Sequence, residues 1–524
     1  MAVCRSYLCF LLLLVCTCGR AQTTSETRIE FDTDEDLVSN GVANYGADGM
    51  VLLTRTSTDG NNRYTFKRFD TALEQVDTKR LNLDKKLKLE ETYETPNKSY
   101  YLFKSKKGAY EIVTLDGLSF EMQRIGGDLP RNTSVEGMIA LGDNVFFKAT
   151  TGKASNIWVM STRKRRQRVI PIELGGYRNK DLTVIQLQVI PKAEEILAFV
   201  RLRESKRGSE IYLIRMDKNG DRISEQRITD NLEQNVVSVS ASYLAPGHYS
   251  LVGTFSSKQG NSLLAAGRYS LFGGLAAARF EQSEGLFYAQ IENNELQFFR
   301  TYNFLDLQDF LAYLPQRKAE KIEQMKGRKE QKGKELKINY RIAGHNTIPT
   351  ADGGYLFLGE AYYPTYREVT QWTSSTVNGV TSQRMTTTTV FDGYQYTHAV
   401  LCKFTAAGDL LWDRSFQMYP ASKPYNVKRF ISLVDAEDEN AIKMVFASSN
   451  AITSKVVNQD GEIVLNRQSD PIYAGGKDER VRRTWSNLEY WYDNYFYAFG
   501  YQKIKDKSER GEKRKVYFVN KIKY

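Results

Sequence analysis

Glu360, Tyr362, Tyr363, Tyr366, Arg367 and Trp372 fall within one short stretch of the chain. Tyrosine and tryptophan rings offer flat apolar area with a polar edge, which suits sugar rings or peptides. A carboxylate such as Glu360 could serve as one of the two acids that glycoside cleavage requires, with its partner about 5–10 Å away. No spacing in the sequence identifies that partner. Other reactive constellations are missing. His248, His345 and His398 stand far apart and form neither HExxH nor a His/Cys zinc pattern. No phosphate-binding glycine loop and no GxSxG occur. Asp32, Asp34 and Asp36 begin like a calcium loop, but Leu37 and Ala43 occupy the places that need Gly and Glu. The sequence therefore predicts no catalytic set, no metal and no cofactor. The ligand-binding candidates are Glu360, Tyr363, Tyr366, Arg367 and Trp372, set against the alternative that the tyrosines pack between structural units.

The elements that must carry these residues recur along the chain. A turn followed by an apolar strand starts near residues 47, 97, 143, 194, 247, 352, 441 and 493. One alternating strand precedes each, and an alternating hairpin follows, as at Asn219-Gly220 and Asp460-Gly461. Four antiparallel strands repeating about every 50 residues predict an all-β chain, a single β-propeller of eight blades, with seven as the alternative. The last unit, ending in VYFVNKIKY (516–524), lacks a fourth strand, whereas TRIEFD (28–33) is a strand without a unit. Pairing the two would close the ring and remove exposed edges.

Three insertions break the rhythm. Residues 257–284 are rich in small side chains and read as a loop or short helix. Residues 304–337 read as helical, with Phe304, Leu307, Phe310, Leu311 and Leu314 on one face ahead of a basic run. Residues 366–391 read as a protruding β-hairpin arm turning at Asn378-Gly379, so that Trp372 opposes Met385 and Tyr366 opposes Phe391. The same register carried into the blade sets Tyr355 opposite Cys402. With 12 residues a side the arm would project roughly 40 Å.

Composition narrows the class. The 524 residues carry a net charge of +11 and 12% aromatics, which excludes a disordered chain. Arg5 followed by the 11-residue apolar run Leu8–Cys18, with Gly19 and Ala21 ahead of Gln22, reads as an export signal over residues 1–21. That run is too short for a membrane span. Its removal leaves Cys402 alone and a charge of +9, so the secreted fold must rest on its own core. The clusters RKRRQR (163–168) and KDERVRR (477–483) sit at turns and could steer an acidic partner.

The segments DGGYLFLGEAYYPTY (352–366) and YTHAVLCKFTAAGDLLWDRSF (396–416) resemble exported β-propellers of the Bacteroidota type, broadly quinoprotein-like in architecture. Only Gly408-x-x-x-Trp412 matches the quinone-propeller blade motif, in one blade, so the resemblance implies architecture and no cofactor. The expected role is a secreted, periplasmic or surface binding propeller. It would take a protein or glycan partner, not nucleic acid, through one face and the blade-6 arm. The alternatives are a glycan-cleaving hydrolase or lyase with carboxylates in the central funnel, and a structural subunit of an envelope complex.

Overall fold

The computed structural model describes residues 24–32, 36–57, 60–152, 154–202, 210–229, 235–256, 282–377, 380–420, 422–436, 440–473, 476, 479–507 and 513–523. The expected export signal and most of the 257–284 insertion lie outside the described residues.

Alternating apolar residues and tight turns build eight antiparallel sheets in succession. They span 36–84, 88–128, 133–171, 182–227, 235–303, 341–417, 432–471 and 479–523, and the first strands of neighbouring sheets touch around a common axis. The protein is an eight-bladed β-propeller. Each blade runs outward from its first strand to its fourth, with a two-residue extra strand, Ile348–Pro349, in blade 6. Thr24–Asp32 is the outermost strand of blade 8, pairing Arg28 with Asn520 and Asp32 with Val516. Arg28 pins it by donating to Gln502 at 2.6 Å, Asn520 at 3.0 Å and the Tyr473 carbonyl at 3.1 Å. Closure by the N-terminal strand holds as the sequence predicts.

Apolar faces of successive blades form the core, and turn glycines set how closely the blades approach. Gly461, at φ +82°, presses on the ring of Trp412 in the preceding blade, where a Cβ would come within 2.6 Å. The Trp412 indole N–H donates to the Gln459 carbonyl of that turn. Any side chain at Gly461 would meet both strain and a clash.

Two expectations need correction. Residues 304–314 are turns, and the helix is Gln316–Glu330, over the basic run, with no buried residue. The apolar residues do bury, among them Phe304, Leu307 and Phe310. Their backbone is diverted by Asp413, whose carboxylate takes the amides of Gln308 and Asp309 at 2.7 and 2.8 Å. A side-chain acceptor in that place competes with helical bonding.

The arm's register is the second correction. Tyr355–Val377 and Val380–Phe404 pair with Trp372 opposite Met385 and Tyr366 opposite Phe391, as expected. Irregularities between Ala361 and Tyr362 and between Pro364 and Tyr366 then shift the ladder, so Tyr355 faces Phe404 and Cys402 faces Phe357. Pro364 has no N–H to donate, which explains a break there.

Candidate functional site

The candidates around blade 6 separate into two groups. Glu360 is fully buried between blades 6 and 7. Its carboxylate accepts the amides of Phe430 at 2.8 Å and Ile431 at 2.9 Å, and His345 Nε2 lies 2.7 Å away. Glu360, a ligand-binding candidate from the sequence, therefore holds the approach to blade 7 and is closed to a ligand. Tyr362 is buried beside Tyr394 and Tyr396. Tyr363, Tyr366 and Trp372 are exposed, Trp372 at 68%. Arg367 stands 3.4 Å from Asp392 at the arm's foot.

Above that foot the two arm strands pair with each other and, among the described residues, with no third strand. Phe391 stacks edge-on with Tyr425 of the following linker at 5.8 Å, and this anchors the base. Beyond it, Trp372 and Met385 stand opposite one another, both exposed. A two-stranded ribbon with both edges open is marginal in water and is a template for further pairing.

A second cluster lines the axis, where sequence reasoning found no residues. Glu94 ends the first strand of blade 2, Glu489 lies on the first strand of blade 8, and Asn44 ends that of blade 1 between them. Asn44 donates its amide to Glu94 at 3.1 Å and its side-chain N–H to the Tyr490 carbonyl at 2.8 Å. The Tyr497 hydroxyl donates to Glu489. Lys428 and Arg429 come from the turn that Glu360 holds, and the Tyr396 hydroxyl brackets Lys428 by bonding its amide and its carbonyl.

Glu94, Arg429 and Glu489 keep accessible surface while protein atoms crowd around them. Burial, with the charge of Glu489 added, pushes Glu94 up to about 7. Burial also raises Glu489 and lowers Lys428 and Arg429. On the far side of the axis Gln188 bonds the backbone of Ala241, and Thr347 bonds Ser240 and Ser242. The signal that could have marked Glu94 and Glu489 is an acid in an alternating first strand a few residues ahead of its turn.

Because folding favours neutral Glu94, its contribution is fullest below the ordinary carboxylate value of 4.5. It is lost as pH rises towards about 7. Glu94→Gln should therefore gain stability relative to the parent between pH 5 and pH 8, read by urea melts at both. Parallel curves would show that Glu94 is as well solvated folded as unfolded.

Among the described residues no group of His, Cys, Asp or Glu could hold a metal ion, and no helix is long and apolar enough to cross a membrane. The Cys402 thiol is buried and its ionisation is suppressed by burial.

No protein-family model and no curated protein matches the chain. Among solved structures it is similar to the polysaccharide lyase Uly1, at 9% identity over 95% of this chain and 99% of that one, with a TM-score of 0.36. It is similar to the β-propeller domain of the Trilobed protease from Pyrococcus furiosus, at 9% identity over 82% and 98%, with a TM-score of 0.33. The periplasmic gluconolactonase of Pseudomonas aeruginosa gives 10% identity over 80% and 96%, with a TM-score of 0.36. These likenesses carry no activity over to this chain, whose own eight sheets define it as a propeller.

Proposed function

We propose that this chain is a binding propeller that works outside the cytoplasm and grips a protein partner with the blade-6 arm. The observation that supports this is the arm itself, with both ribbon edges open and Trp372 facing Met385 in solvent. An open edge offers main-chain bonds to an added strand, and large exposed side chains supply anchors beside it. Thr370 and Thr387, bonded across the ribbon at 3.2 Å, keep it extended while unoccupied. A photo-crosslinking residue at position 372 should trap one protein, the same one lost when residues 368–389 are deleted. Trp372→Ala should weaken that contact roughly 30-fold, as truncating an anchor does, with the melting temperature unchanged. Equal capture with and without the arm would refute the proposal.

A second reading rests on the axial acids. A protonated Glu94 beside Glu489 has the composition of a two-carboxylate site for cleaving a glycan at the axis. It requires glycan cleavage that Glu94→Gln abolishes, and a partner-binding arm does not.

A further inference from the structure

Blade 8 is taller than the blades around most of the ring. Its first three strands, Glu479–Tyr492, Tyr495–Asp506 and Lys513–Lys523, have 14, 12 and 11 residues. The second strands of blades 1 to 4 have seven or eight. Register aligns the extra length into rows. Trp485, Tyr501 and Tyr517 form one row, Arg483, Lys503 and Lys515 the next, and Arg480, Lys505 and Lys513 the outermost. Alternation puts Lys503 and Lys505 on one side, and Gln502 and Ile504, both buried, on the other. Five of the six cations are exposed and Lys505 is half-buried.

Six positive charges thus stand in a grid about 4.8 Å apart across strands and about 7 Å along them. Like charges directly opposite each other destabilise a sheet. None of the six makes an ion pair among the described residues. The nearby acids Glu30 and Glu479 bind Arg514, whose strand position faces the other side. What the cations do touch is rings: Arg483 lies 4.5 Å from the Trp485 centroid, Lys503 5.9 Å from it, and Lys515 4.5 Å from that of Tyr501. A face that concentrates cations with no acid paired to them among the described residues, at a cost to its own sheet, suits an anion from outside.

We propose that this face of blade 8 binds an acidic polysaccharide, its carboxylate or sulfate groups lying along the two cation rows. Single-stranded nucleic acid needs open ring faces on which bases stack, and here the rings are covered by cations. A flat anionic membrane is hindered by the blade-6 arm, which leaves the same end of the ring and projects roughly 40 Å. The glycan site is separate from the arm and from the axial acids, so it stands or falls independently of both.

The test uses the full chain with dextran sulfate and polygalacturonate, and with neutral dextran, single-stranded DNA and phosphatidylglycerol vesicles as rival arms. The acidic glycans should bind in a salt-sensitive manner and neutral dextran should not. Lys503→Glu with Lys515→Glu should weaken that binding roughly tenfold or more, since each removes a charge-assisted contact. Lys321→Glu with Arg328→Glu, on the solvated helix, changes net charge equally and should leave binding intact. Deleting the arm should also leave it intact. Equal losses from the two double variants, tighter binding of DNA or vesicles, or no glycan binding by a parent of normal melting temperature would each overturn the proposal. Lys503→Gln with Lys515→Gln covers the case in which the Glu pair fails to fold.

Discussion

A chain lacking residues 24–32 is expected to melt several degrees below the parent and to self-associate. The lost strand pairs with blade 8 at eight positions, and Arg28 adds three side-chain contacts to Tyr473, Asn520 and Gln502. At about 1 kcal/mol net per bond, the loss amounts to several kcal/mol. The truncation also bares the edge of Lys513–Lys523 and uncovers Phe31's partners, Phe69 and Tyr517. A bared edge pairs with another chain. A synthetic peptide of residues 24–32 should restore the melting temperature in trans. An unaltered melt in the truncated protein would show that the ring is held without its closing strand.

The second large effect belongs to Glu360. Glu360→Ala should cost about 3–5 kcal/mol, because it strips the partner from two buried amides and from His345. Glu360→Gln should recover less than half of that. Three donors converge on the carboxylate, and a carboxamide would turn its own N–H groups towards some of them. The damage should spread to the axial cluster, since the same turn delivers Lys428 and Arg429 to the axis. Chemical denaturation measures the first effect. Changed amide exchange at 428–431 reads the second. A Gln variant as stable as the parent would mean that a single oxygen is all the acceptor these donors need.

The wheel was legible because its signals are local. Period-two alternation and Asn-Gly or Asp-Gly turns specify hairpins within 20 residues, and eight such units have few ways to bury their faces. The arm's tip was readable for the same reason. The two-residue turn counts register outward from Trp372 and Met385 until Pro364 interrupts the ladder. The helix was misplaced because spacing alone cannot report that Asp413 captures the amides of Gln308 and Asp309. The site was mostly illegible. Glu360 has the look of a ligand-binding acid until the chain 70 residues later returns to cover it. Glu94 and Glu489 belong to blades at opposite ends of the sequence and meet only when the ring closes. The basic motif near 477–483 was visible as a charge cluster, but its alignment with Lys503 and Lys515 needed strand register.

The bond between Arg28 and Asn520 spans 492 positions. A segment that emerges among the first must therefore wait, unpartnered, for one of the last. During synthesis the growing arc exposes the flank of blade 1, including Met50, Leu52 and Phe69, which finally packs on blade 8. Non-local pairing of this kind slows folding and leaves sticky intermediates. A nascent-chain holdase that shields that flank until the terminal residues arrive would raise the yield of this protein more than any strengthening of an individual blade.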